Sequence, residues 1–228
     1  MLHLNYGGLE KQTITLINEL AKTNQYKIKI LSIYDMLNGK SFYDIDESVE
    51  VEFLSNFGPN HKAFYDSIKN KNIISFIKES YVMIKCGIYK SIKLRKYIKK
   101  LETDIIVSSR IEFSKQIKRK DTFNISQEHS YIMTDKYISK IKKCFKNIHK
   151  IIVMTDKAKK EYEDILKKSN SRASVIKIPN MIDKNTKEYN ADYTNNQIIS
   201  VGRLEKEKDF ITLIEVFNIL QNLNNSHW

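Results

Sequence analysis

Residues 150–178, KIIVMTDKAKKEYEDILKKSNSRASVIKI, set two short apolar runs, 150–154 and 174–178, on either side of a helical stretch at 155–168. Two strands joined through a helix of that length pair in parallel by a right-handed crossover. The alternation continues upstream, with strand-like runs at 104–108 (DIIVS) and 123–126 (FNIS) and a helical stretch at 134–146. Residues 62–100 read as two helices broken near Cys86-Gly87. Before them, 26–33 (YKIKILSI) and 49–54 (VEVEFL) alternate as strands do. The chain opens with a strand-like 1–5, a Gly7-Gly8 turn, and a helix at 9–22 whose apolar positions include Leu9, Leu16, Ile17 and Leu20. The sum predicts a doubly wound α/β sheet. Ligands of such sheets sit at the carboxyl ends of the strands, so the turns that follow strands matter most.

Downstream, residues 180–196 turn polar and read as a linker between a first domain, 1–180, and the start of a second, 197–228. That start holds one strand, 197–201, and one helix, 209–221. One strand and one helix cannot bury both faces of a sheet, so the chain reads as a fragment truncated in its second domain.

The 228 residues are 41% hydrophobic and 29% charged, with two prolines and six glycines, which excludes fibrous and low-complexity classes. Two cysteines, Cys86 and Cys144, cannot make a disulfide framework and suit a reducing compartment. No signal-peptide pattern opens the sequence and no apolar run is long enough for a membrane span. The net charge of +12 raises nucleic acid, an anionic membrane or phosphorylated ligands as partners. Lysine supplies most of it, with arginine only at 95, 110, 119, 172 and 203, so compositional bias explains it equally well.

Gly7-Gly8 offers either a phosphate cradle at a helix N-terminus or simply a tight strand-to-helix turn. In the loop SVGRLEKEK (200–208), Gly202 permits a close turn, and Arg203 and Lys208 could converge on one diphosphate; otherwise this is a solvated charged loop. Glu128-His129-Ser130 follows the 123–126 run, where a histidine is placed to bond a substrate hydroxyl or to play a structural part. Asp44 and Asp46 resemble a carboxylate pair for a divalent ion but lack a third ligand, and no metal is expected. The segment 78–100 mixes Tyr, Ile, Val and Met with eight Lys or Arg. Such a helix lies on an anionic membrane, binds an acidic partner, or is a solvated face. No nucleic-acid module accompanies it, and nucleic acid is not expected as a partner.

Taken in order, these pieces resemble a GT-B glycosyltransferase of the family 4 (group 1) type. The matching residues are Tyr6-Gly-Gly-Leu-Glu-Lys11 opening a helix, Asp104-Ile-Ile-Val-Ser-Ser-Arg110, Glu128-His129-Ser130, IIVMTDKAKKEY from Ile151, Val175-Ile-Lys-Ile-Pro-Asn180, and Ile199 to Lys208 with DFITLIEVF behind it. Their shared order covers nearly the whole chain.

The resemblance implies two Rossmann-like domains across a cleft, the first holding the acceptor and the second the nucleotide sugar. It makes Arg203 and Lys208 the basic pair on the donor diphosphate. Gly7 and Gly8 become the backbone approach to that phosphate, His129 the catalytic position beside the transferred sugar, and Glu128 its substrate-binding neighbour. It further implies a retaining, metal-independent transfer with no cofactor, UDP-sugar being the expected donor, and a glycan or lipid-linked acceptor in cell-surface polysaccharide synthesis. Such an enzyme works in the cytoplasm, with helix 78–100 resting on the inner face of the membrane. Breaking the sugar–phosphate bond builds negative charge on the departing diphosphate, which fixed cations and a helix N-terminus stabilise. The chain departs from the family at Asp209, where many relatives have glycine, and lacks the later EX7E pair. The alternative expectation is therefore a non-catalytic remnant that binds membrane or acceptor.

Overall fold

The structure, a computed structural model, describes residues 1–129, 134–169, 171–181 and 198–224. It divides into two compact units, Met1–Ile182 and Asp183–Trp228. The linker at 180–196 and residues 130 and 197 lie wholly or mostly outside the described residues.

In the first unit, helix α1 (Gly8–Ala21) precedes the parallel pair β1 (Lys29–Tyr34) and β2 (Glu50–Ser55), with Ile30 opposite Val51. Helices α2 (His61–Lys69), α3 (Ile73–Ile88) and α4 (Leu94–Lys100) follow. Then β3 (Ile105–Ser108), β4 (Phe123–Glu128), β5 (Lys150–Val153) and β6 (Ser174–Lys177) form a second, fully parallel sheet in that order. Short α5 (Ile111–Ser114) follows β3, α6 (Asp135–Cys144) follows β4, and α7 (Asp156–Lys167) joins β5 to β6. The protein is thus α/β with two parallel ladders, the strands of the larger one connected through helices.

Three expectations need correction. The single sheet is two separate ladders, because residues 1–5 form no regular strand. Met1 to Leu2 only follow β1, their carbonyls accepting from the amides of Ile33 and Tyr34 at 3.0 Å each. The helical break falls at Asn70 to Asn72, where Lys71 adopts φ 52° and Asn72 caps α3 by accepting from Ser75 N. Cys86-Gly87 stays inside α3, which runs on through a π-helical turn, Tyr89–Lys93, into α4. Finally, 198–201 form no strand: Ile199 and Val201 are 80% and 92% exposed, with no neighbouring strand among the described residues to take their backbone bonds.

The stretch 150–178 shows why the larger sheet forms. Thr155 accepts from Ala158 N at 3.1 Å and so satisfies one orphan donor of α7, a cap worth about 1 kcal/mol. Ala158, Tyr162 and Leu166, four residues apart, then line one buried face, while lysines occupy the other. Period-two alternation sends Ile151, Val153 and Val175 into the same core. Each large apolar side chain so buried contributes about 1.5–3 kcal/mol. A second cluster of Leu4, Ile14, Ala21, Ile30 and Val49 packs α1 on the β1–β2 pair.

Asn124, fully buried, ties the loops below β4. Its Nδ2 donates to the carbonyls of Arg119 and Asn147 at 3.0 and 2.8 Å, and its Oδ1 accepts from Thr122 Oγ1. Parallel strands end at a common edge, so Ser109-Arg110 and His129 leave the sheet side by side. That edge carries the site.

Candidate functional site

Helix α1 starts without a side-chain cap. Its first intrahelical bond runs from Lys11 N to Gly7 O at 2.9 Å. Tyr43 holds the turn: its Oη accepts from Gly7 N and donates to Gly7 O, each at 3.2 Å. The two glycines differ in role. A Cβ on Gly7 would overlap the Glu10 carboxylate, whereas a Cβ on Gly8 would meet nothing within 4 Å. Gly7 is bare to make room for Glu10, and Gly8 leaves the helix end open to an approaching group.

Glu10 points inward, its side chain 5% exposed. Its Oε1 lies 3.6 Å from Arg110 Nη2 and 3.9 Å from His3 Nδ1, within ion-pair range but beyond hydrogen-bond distance. Arg110 stands at the start of α5, two residues past the end of β3. His129 follows β4 directly, is hydrogen-bonded through its ring to the Asn180 side chain, and feels the Glu10 charge. Burial pulls the His129 pKa below its ordinary value, against the opposing pull of Asn180 and Glu10, so the ring is neutral at pH 7. His3 is lowered for the same first reason, with Glu10 opposing.

Glu10 Oε1, Arg110 Nε, Ser109 Oγ and His129 Nε2 are all buried without a hydrogen-bond partner among the described residues. Unsatisfied buried polar atoms are rare in folded proteins, each costing about 1–3 kcal/mol. Here a carboxylate acceptor, a guanidinium donor, a hydroxyl and a neutral imidazole share one strand-end neighbourhood. Hydroxyl groups, which donate and accept at once, would satisfy all of them.

Glu128 is turned the other way. Its carboxylate sits on the core side of β4, where Oε1 accepts from Ser126 Oγ at 2.7 Å and Oε2 from Tyr137 Oη at 3.0 Å. Ser126 continues to Ser114 and Ser114 to Ser108, each hydroxyl pair 2.7 Å apart. Burial pushes the Glu128 carboxyl up to about 7, against the two hydrogen bonds. The residue next to His129 in sequence is therefore part of an interior polar chain.

Arg203 and Lys208 belong to the second unit, Gly7, Gly8, Glu128 and His129 to the first. In that second unit the loop folds back before α8 (Phe210–Asn224): a Cβ on Gly202 would lie 3.2 Å from the Phe210 ring and 3.5 Å from Lys208 Cγ. Asp209 adopts φ 48° and ψ 45°, the left-handed conformation that glycine adopts most easily. It compensates by accepting from Thr212 Oγ1 at 2.9 Å.

Asp46 accepts from Ser48 N and Oγ, which holds its carboxyl below the usual range. Among the described residues no group of three His, Cys, Asp or Glu could hold a metal ion. No described helix is long and apolar enough to cross a membrane.

Glu10 and Arg110 are the functional candidates that spacing did not single out. The available signals were the placement of Glu10 three residues after Gly7, in the first helical turn, and of Arg110 just beyond a strand end. A scan against protein-family models finds no family that matches the chain, and a comparison with curated proteins finds no match either.

Proposed function

We propose that the first unit binds a sugar acceptor at the Glu10–Arg110–His129 edge, and that the chain derives from a GT-B glycosyltransferase of the family 4 type using a nucleotide-sugar donor. The observation that carries this reading is the set of unpartnered buried polar atoms of both hydrogen-bonding senses beside an uncapped helix N-terminus. A saccharide supplies hydroxyls for that set, and the open helix end at Gly8 favours an anionic group on the same ligand. In the transfer, the bond from the anomeric carbon to the diphosphate breaks and one to an acceptor oxygen forms. The acceptor proton leaves with the phosphate. Arg203 and Lys208 are the proposed diphosphate ligands, and His129, neutral, the hydrogen-bonding group at the transferred sugar.

A second reading, acceptor binding without transfer, is favoured by the absence of a strand at 198–201 and by the exposed apolar side chains of α8, Ile211 and Ile214 among them. Calorimetric titration of the chain with UDP, a UDP-sugar and oligosaccharides separates the two. Transfer requires UDP binding that weakens about tenfold or more in Arg203→Ala. The remnant binds only oligosaccharide, with loss in Glu10→Ala. Binding of neither ligand class overturns both readings.

A further inference from the structure

We propose that α3 is a docking face for an anionic lipid bilayer. Ile73, Ile77, Tyr81, Ile84 and Ile88 recur at spacings of three or four, and every one is exposed, Ile77 at 62%, Tyr81 and Ile84 at 65% each. At about 100° per residue they fall within an arc of about 80° that runs roughly 24 Å along the helix. The opposite side of α3 is already committed. Cys86 is buried in the core, its carbonyl accepting from Tyr34 Oη at 3.2 Å, and it lies about 180° from the centre of the exposed stripe. Phe76 rests against Phe64 of α2, with ring centroids 5.6 Å apart. The stripe is therefore left over after the fold has buried what it needs.

Charge selects the occupant. Residues 61–100 hold eleven Lys or Arg against two acidic residues, Asp66 and Glu79, which accounts for nine of the chain's twelve net positive charges. Lys69, Lys71 and Lys78 are exposed around the start of the stripe, and Lys93, Lys96 and Lys99 beyond its end. A second copy of the chain would bring like charge against like charge. A bilayer with anionic headgroups takes the isoleucines into its acyl boundary and the lysines at its surface at once. The structure also moves the membrane face relative to the basic segment at 78–100: Leu94 and Ile98 of α4 are buried in the core and unavailable, while Ile73 and Ile77 join. None of this depends on what the strand-end site binds.

The full chain is to be floated with vesicles of phosphatidylcholine alone and with vesicles in which roughly a third of the lipid is phosphatidylglycerol. Binding is expected to the second only. It should weaken about tenfold or more in each of Ile77→Ser and Ile84→Ser, which touch no core contact, and fall in Lys71→Glu/Lys78→Glu. A Tyr81→Trp reporter in a Trp228→Phe background should shift its emission to the blue on the anionic vesicles and stay unshifted on the neutral ones. No binding to anionic vesicles overturns the proposal, as does binding that both isoleucine variants retain. A soluble dimer that the same variants dissociate assigns the face to a second copy and overturns it too.

Discussion

The Glu10 carboxylate occupies the space that a side chain at residue 7 would need. Glycine at 7 is thus a packing requirement of a buried acid, while glycine at 8 faces open space. The carboxylate cannot step aside freely, since Arg110 and His3 hold it on one side and it is almost fully buried. Gly7→Ala should lower stability by roughly 1–3 kcal/mol through displacement of a buried charge from its partners. Gly8→Ala, at the first turn of a helix and without strain in φ, should stay within about 0.5 kcal/mol of the parent. Urea unfolding of the two variants reads the contrast, and equal midpoints would show that the acid does not sit against residue 7.

Arg110 is the cation nearest Glu10, and its loss would leave the acid with His3 alone. Arg110→Met is expected to cost about 2 kcal/mol, less than for a fully buried pair because the guanidinium side chain is about a third exposed. Glu10→Gln removes the charge and should recover part of that loss in the Arg110→Met background. A double-mutant cycle is expected to return a coupling of about 1 kcal/mol. Additive effects within about 0.3 kcal/mol would dissolve the pair as an energetic unit.

Much of the larger sheet was legible because a central parallel strand buried on both faces leaves a short continuous apolar run such as 150–154, and because Thr155 and the lysines of α7 mark the helix that follows. β4 runs two residues beyond the apolar run, to Glu128, which pairs with Val153 and whose buried carboxylate accepts from Ser126 Oγ and Tyr137 Oη. The break between α2 and α3 does not fall at Gly87, because a glycine inside a helix costs only about 1 kcal/mol. Asn72 supplies a cap, and Asn70 and Lys71 tolerate the turn. The Glu10–Arg110 pair was beyond reach of a sequence pattern, since its members lie a hundred residues apart and meet only through the shared edge of α1 and β3. The separation of β1–β2 from β3–β6 was equally hidden, because residues 1–5 have strand composition without strand geometry.

Glu128 makes the stability of the first unit fall as pH rises. Its carboxyl ionises near 4.5 in an unfolded chain and near about 7 in the fold, burial being the larger cause and the bonds from Ser126 and Tyr137 the opposing one. Between those values the folded protein keeps a proton that the unfolded chain has released, so the contribution is fully present below about pH 4.5 and is lost on passing through about pH 7. The loss amounts to roughly 3 kcal/mol across the window. Glu128→Gln preserves an oxygen to accept from Ser126 and has no proton to lose, at the cost of presenting an amide toward Tyr137. Unfolding midpoints measured at pH 5 and pH 8 should therefore differ less in the variant than in the parent, with the variant gaining most at pH 8. A variant that follows the parent at both pH values would mean that Glu128 titrates as it does in water and would overturn this prediction.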